Sequence, residues 1–526
     1  IFYESKCQQF QAQDSGVKSS LISHHADYSV GQTTGGLSVV FTILCIVDLF
    51  GVFPVVALPK SVISCGIYAV PLVLSVFGLQ LYTAVLLGRS WLLAQQIAPN
   101  IKEKNRLPYA AVAELAFGKT ARQMVTFLLD ATVFGAGVPN FIFASQSMQL
   151  FWWKITGGEV GISYCIWMLF IGLLLCPVMW LGSPKDMKPL ALTSVFIVIT
   201  VAVCTWSCIL TDKESPPSAG GVLSYTPSMQ DFLVAYGILA FQFDIHPMLL
   251  TIQVDMKDGR KVHAAALGGF AATAGLFAVT AVLAANRYGR EIDSNILQGI
   301  PPSVPLFVVA LLVTIQLCLS SAVGNSALFQ HIEELLKIPR NFSLQRCILR
   351  SSIVALAVFL GESVPRFDLV MGLVGSTLTG PLMFIFPPLF FLRLCYMKST
   401  IKPKDTIKLA DNKNGVNIQN GDSNGNQNGG TSKFPLIFKA MKGYRTFNNY
   451  DKICDDHEEE YNVQWYDVCL AGIVVLLGLF ATIIATYSSW SSTINSAIFS
   501  PPCLTNATAA ARSFLEVSKL EKSFYT

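Results

Sequence analysis

The sequence predicts an all-α, polytopic membrane protein with eleven transmembrane helices. Three observations carry that prediction. Hydrophobic residues make up 52% of the 526-residue chain and charged residues only 13%, against roughly 25% charged in soluble proteins. Mean hydropathy is +0.51. The apolar residues gather in runs of about twenty, the length an α-helix needs to cross hydrocarbon. This composition excludes a disordered chain and a disulfide scaffold, and a formal charge of +4 is too small to signal a nucleic-acid partner.

A window of about nineteen residues places the segments at 37–65, 68–93, 122–151, 161–181, 190–211, 229–254, 263–286, 304–335, 346–363, 368–395 and 465–488. The polar residues 1–36 hold no apolar stretch and read as a cytoplasmic tail, so the first span is expected to direct membrane insertion. Residues 37–395 then form a ten-helix core, 396–463 a cytoplasmic loop, 464–488 the eleventh helix and 489–526 an extracellular or luminal tail. The Asn-Gly-rich stretch from Asp411 to Gly430 cannot bury a core, which makes that loop flexible. Its acidic run, Asp455 to Glu460, is expected to be solvated charge. Most cysteines, such as Cys45, Cys176, Cys204, Cys208 and Cys318, lie inside apolar runs and read as small hydrophobes.

With the N-terminus inside, the inner connections and their flanks carry fifteen Lys and Arg residues and the outer ones six, the asymmetry of the positive-inside rule. Of two glycosylation sequons, Asn506 then lies outside and is the candidate acceptor, while Asn341 lies inside.

Polar groups in hydrocarbon are functional candidates by default. The first span contains Asp48, Gly51, Pro54 and Pro59. Each proline removes an N–H and crowds the carbonyl four residues earlier, which frees the carbonyls of Phe50 and Val55 and predicts an interrupted helix. In the sixth span Gln242, Asp244 and His246 alternate, followed by Pro247. Residues two apart sit on nearly opposite helix faces, so this helix is either enclosed by protein or unwound near Phe243. Broken helices in such positions serve secondary transporters as midplane binding sites, and an amino acid fits: its carboxylate meets free N–H groups and its ammonium meets free carbonyls.

Residues from about 37 to 395 resemble the amino acid/auxin permease family. The resemblance is carried by Val56-Ala57-Leu58-Pro59, by Tyr109 through Glu114 with Phe117 and Gly118, and by Phe241-x-x-Asp-Ile-His246-Pro247 continuing to Leu250, Ile252 and Asp255-Met256-Lys257. It implies a LeuT-like fold of two inverted five-helix repeats plus one helix, and amino acid transport by alternating access with a coupling ion. The family's first helix carries an Asn and then Gly-x-Gly; here Asp48, Val52 and Pro54 stand at those places and Gly51 comes one residue early. Side chains therefore occupy positions where a substrate's backbone would rest against glycine.

Phe50, Gly51, Val52, Phe53, Pro54, Asn140, Phe241, Phe243 and Asp244 are the expected substrate-binding residues, with Tyr236 as a further pocket wall. A desolvated carboxylate binds a proton more readily than one in water, so Asp48, Asp244 and His246 are the candidates for proton coupling. The alternatives are a helix-end carboxylate reaching water for Asp48 and a buried pair stabilising the break for Asp244 and His246. Asp130 and Asn140, ten residues apart, can face one cavity. Ser320 and Ser321, near Asn325, resemble the hydroxyls that LeuT-like carriers offer to sodium, and small polar residues also serve helix packing.

No His-Glu-x-x-His, Gly-x-Ser-x-Gly or Walker motif is present, so neither an enzyme nor a metal site is expected. The expected function is secondary active transport of amino acids without a cofactor, coupled to H+. Coupling to Na+, vesicular exchange against protons and an amino-acid sensor on the same fold are the alternatives. The expected setting is a monomer, multi-pass in the plasma membrane or a lysosomal or vesicular membrane, with an amino acid and lipid as its partners.

Overall fold

The computed structural model describes residues 36–104, 107–156, 162–181, 187–213, 226–289, 292–339, 342–364, 366–400 and 465–496. Of the expected loop over 396–463, residues 401–463 lie outside the described residues, as do Asn341 and Asn506, while residues 396–400 continue a helix instead of a loop. Among those described, nine helices are long and apolar enough to cross a membrane, and two shorter apolar helices, Val39–Phe50 and Tyr164–Trp180, occupy the remaining expected segments.

The helices are α1 Val39–Phe50, α2 Phe53–Val56, α3 Leu58–Ile63, α4 Ala69–Ile97, α5 Pro108–Phe117, α6 Lys119–Ile155, α7 Tyr164–Leu181, α8 Met187–Thr211, α9 Met229–Gln242, α10 His246–Asp255, α11 Val262–Tyr288, α12 Ile296–Gly299, α13 Val304–Leu335, α14 Leu344–Ser363, α15 Phe367–Val374, α16 Phe386–Thr400 and α17 Trp465–Ser496. The first expected span is thus three pieces. Ser38 caps α1 by accepting from the Phe41 N–H at 3.2 Å, and α1 stops at Gly51, whose φ of 62° suits only glycine there. Pro54 and Pro59 fall in the first turns of α2 and α3, where a missing N–H costs nothing.

The sixth span breaks where expected. α9 ends at Gln242, residues 243–245 are non-helical, and α10 restarts with Pro247 in its first turn. The start of α1 is tied to the end of α10: the Leu37 N–H donates to the Asp255 carbonyl at 2.8 Å and the Lys257 N–H to the Leu37 carbonyl at 3.0 Å.

α6 and α13 run antiparallel in close contact. Asp130 meets His331 and Asn140 meets Ser321, so a step of ten residues along one helix is matched by ten along the other. The tenth span departs from a plain helix: two wide π-helical turns, Gly375–Thr379 and Pro381–Ile385, separate α15 from α16. The first lies against α9 so closely that a Cβ on Gly375 would sit 2.0 Å from the Gly237 carbonyl oxygen. α17 packs at the periphery and leaves Leu476, Phe480, Ile483 and Tyr487 exposed toward the space lipid fills. Cys45, Cys176, Cys204, Cys208 and Cys318 are free thiols, as their apolar settings imply. Cys165 at the start of α7 is disulfide-bonded, which apolar context alone did not suggest.

Candidate functional site

The two breaks meet. Gln242, the last residue of α9, donates through Nε2 to the Phe50 carbonyl at 2.5 Å. That carbonyl is one of the two acceptors the prolines were expected to free. Phe50 and Phe243 touch edge to face with centroids 5.2 Å apart, and Phe77 of α4 and Phe270 of α11 complete the cluster around them. Of the residues expected to bind substrate, these two are therefore together but enclosed by aromatic packing. Phe53 faces the other way, 5.2 Å from the Phe143 ring and 6.5 Å from Phe367. Val52 and Pro54 are buried beside it. Phe241 is half-buried against the π-helical turn, where a Cβ on Gly375 would come within 2.7 Å of its own Cβ.

Polar groups from four helices meet here: α1, α8 and α13 around Gly51, and α6 with α13. Asp48 of α1 is half-buried and faces Ser194 of α8; Gln316 of α13 donates to the Ser194 hydroxyl at 3.4 Å. Gln316 is fully buried, its Nε2 lies 3.0 Å from where a Gly51 Cβ would be, and its Oε1 has no hydrogen-bond partner. Asn140 donates to the Ser321 hydroxyl at 3.3 Å, and Asn325 donates to the Ser321 carbonyl at 2.9 Å. Ser320 is half-buried on the same helix.

At the second break the Asp244 side chain is 4% exposed and that of His246 is fully buried. Asp244 Oδ1 accepts from the His246 backbone N–H at 3.0 Å and lies 3.0 Å from its Nδ1. The other carboxylate oxygen, Oδ2, is buried without a hydrogen-bond partner. Two residues of α4 reach in: Thr83 Oγ1 stands 3.0 Å from His246 Nε2, and Gln80 donates to the Ala240 carbonyl at 3.0 Å. Tyr109 of α5 donates to the Leu382 carbonyl and lies in the field of Asp244. Asp130 does not join either break; it pairs with His331 at 2.5 Å toward the far ends of α6 and α13. Tyr236 is half-buried against Met383 and Phe384 of the second π-helical turn.

A cavity of about 380 Å³ opens between α3, the start of α9 and α15. It is lined by Lys60, Asp231, Arg366 and Asp368 among others, with Ile238 and Phe367 among its apolar walls. No residue expected to bind substrate lines it. Phe367 lines it, and the rings of Phe143 and Phe53 pack behind Phe367 as an aromatic floor, each ring's residue 5% exposed or less. Sequence reasoning missed this vestibule together with Thr83, Gln80, Ser194 and Gln316, whereas Gln242 stood out by its place in the alternating polar run.

A family model described as "Transmembrane amino acid transporter protein" matches residues 35–409. Amino acid transporter AVT1B of Arabidopsis thaliana is 24% identical over 299 residues, covering 56% of this chain and 54% of that protein. Amino acid transporter AVT1D of the same plant is 24% identical over 345 residues, covering 64% and 60%. The matched region thus spans between half and two thirds of these relatives' length. Among solved structures, MhsT in complex with L-phenylalanine aligns with 86% of this chain and 99% of its own at a TM-score of 0.50 and 13% identity. That likeness is one of fold, and it makes the fold here LeuT-like. By the family match over most of its length, this multi-pass membrane protein belongs to the transmembrane amino acid transporter protein family.

Proposed function

We propose that this chain moves amino acids across its membrane by alternating access, coupled to protons through Asp48 and the Asp244–His246 pair, with the substrate held between the breaks at Gly51 and Asp244. The relatives' names as amino acid transporters support the substrate class. The observation that carries the mechanism is the unpartnered Oδ2 of Asp244. A buried carboxylate oxygen with no donor is costly, and a proton or a substrate ammonium supplies the missing partner. Either one makes occupancy of the site and the charge of the break interdependent, which is what coupling requires.

Asp48 serves the same purpose at the first break. Ser194, which it faces, stands on α8 and holds Gln316 of α13, so loading or unloading a proton at Asp48 alters how α1 is held against those two helices. The fifteen basic residues on the inner connections support a reading in which the mouth of the 380 Å³ vestibule opens on the outer side.

The test is uptake of a labelled amino acid mixture into proteoliposomes with proton and sodium gradients imposed independently. Uptake driven by the proton gradient, and made insensitive to it by Asp48→Asn or Asp244→Asn in folded protein, is the expected result. Uptake that follows sodium alone overturns proton coupling and shifts attention to Ser320 and Ser321. Saturable binding with no flux under any gradient would leave a sensor.

A further inference from the structure

We propose that Thr83 of α4 is a positioning residue for proton binding at His246; this deepens the proton-coupled reading above and rests on it. His246 and Thr83 are both fully buried, and Thr83 Oγ1 lies 3.0 Å from His246 Nε2. The same oxygen is 3.0 Å from the Leu79 carbonyl and 3.1 Å from the Gln80 carbonyl. A hydroxyl has one proton to give and two lone pairs to accept with, so that single proton has two kinds of destination here.

When it points at Nε2, His246 is neutral: Nε2 accepts, and Nδ1–H donates to Asp244 Oδ1, 3.0 Å away. When it turns to Leu79 or Gln80, the oxygen's lone pairs face His246 and accept an Nε2–H. His246 then holds both ring protons, as an imidazolium against the Asp244 carboxylate. Passing from the first arrangement to the second takes one proton from the aqueous phase onto Nε2 and a rotation about the Thr83 C–O bond, with no movement of heavy atoms. The hydroxyl therefore stabilises either protonation state without rebuilding the site. A side chain that cannot do both favours the neutral ring, because a second Nε2–H would be buried without an acceptor.

The surroundings leave this choice to Thr83 and Asp244. On α5, Tyr109 faces Asp244 but commits its hydroxyl to Leu382, and Glu114 pairs with Arg122. On α4 itself, Tyr82 interacts with Asp467 and Arg89. Arg260 and Lys261, in the turn after α10, are largely exposed and pair with Asp258. The π-helical turn Pro381–Ile385, also packed here, has no titratable side chain. Gln80, one turn before Thr83, holds the Ala240 carbonyl, so α4 grips both sides of the break and keeps Thr83 in register with His246.

The experiment compares Thr83→Val, Thr83→Ala and Thr83→Ser with the unsubstituted full chain in proteoliposomes, reading amino acid uptake against pH. Thr83→Ser keeps the hydroxyl and is expected to keep the pH midpoint. Thr83→Val keeps the shape and loses the hydroxyl; its midpoint is expected to fall by about one pH unit, a tenfold loss of proton affinity. If the valine protein does not fold, Thr83→Ala is expected to show the same fall. A hydroxyl-free variant that transports with an unshifted midpoint, while uptake remains proton-driven, overturns the role of Thr83 and leaves the proton-coupled reading standing. Uptake by the unsubstituted protein that ignores the proton gradient overturns both.

Discussion

The amide of Gln242 and the carbonyl of Phe50 are 2.5 Å apart, so the residue that ends one half-helix satisfies the acceptor left free at the end of the other. This bond couples the two breaks directly: a rotation of α1 that carries Phe50 away must either pull α9 along or leave both groups unpaired.

Replacing Gln242 tests the coupling. In Gln242→Leu the Phe50 carbonyl loses its donor in a buried setting, at a cost of about 1–3 kcal/mol. The expected outcome is a lower melting temperature of the detergent-purified protein and loss of uptake. Gln242→Glu restores a donor only when the new carboxyl is protonated, so its uptake is expected to recover toward acid pH. Equal uptake by the leucine variant at every pH would show that the breaks move independently.

Gly51 is irreplaceable for two separable reasons. Its φ of 62° costs any other residue about 1–3 kcal/mol, and a Cβ would stand 3.0 Å from Gln316 Nε2. Gly51→Ala is therefore expected to destabilise the fold and abolish uptake. Adding Gln316→Ala should relieve the contact but not the backbone strain, a partial recovery visible as an intermediate melting temperature.

The network below α13 and α14 gives a prediction about stability. Arg350 is 1% exposed, donates to Glu333 at 2.6 Å and to the Met179 carbonyl at the end of α7, and lies over the Phe329 ring. Arg346 also reaches Glu333, at 3.1 Å. Removing Arg350 leaves Glu333 with only its second, less buried partner Arg346 and strips the Met179 carbonyl of its donor, and an unsatisfied buried group costs about 1–3 kcal/mol. Arg350→Met should therefore unfold readily, and Arg350→Met combined with Glu333→Gln should be less destabilised than the sum of the single changes. Chemical denaturation in detergent measures both.

Most of the architecture was legible because its causes are local. Apolar runs follow from the solvent being lipid, and the breaks follow from Pro54, Pro59, Pro247 and Gly51, each of which acts on its own backbone. What completes the breaks was not legible. Thr83 and Gln80 lie about 160 residues from the groups they meet, and a lone Thr or Gln in an apolar helix looks the same whether it faces a relay or its own helix carbonyl. The π-helical turns had no signal either, since Gly375 and Pro381 read equally well as a kink. Asp231, Arg366 and Asp368 stood at span ends, where charge ordinarily means solvent, and only the fold gathers them around one vestibule.

That vestibule and its floor predict an asymmetry of access. Ser61 lines the cavity beside Lys60 and Asp231, whereas Val52 does not line it and is fully buried next to Phe53, whose ring packs with Phe143 and Phe367. In intact cells, Ser61→Cys is expected to react with a membrane-impermeant thiol reagent applied from outside, and Val52→Cys is expected to be protected. Phe143→Ala and Phe367→Ala each remove a ring from the floor, so either change in the Val52→Cys background should admit the reagent. Protection of Ser61→Cys in cells, with labelling only after permeabilisation, would turn the vestibule toward the cytoplasm and reverse the orientation inferred from the basic residues. Labelling of Val52→Cys as fast as Ser61→Cys would mean that the aromatic floor does not close the path in the resting protein.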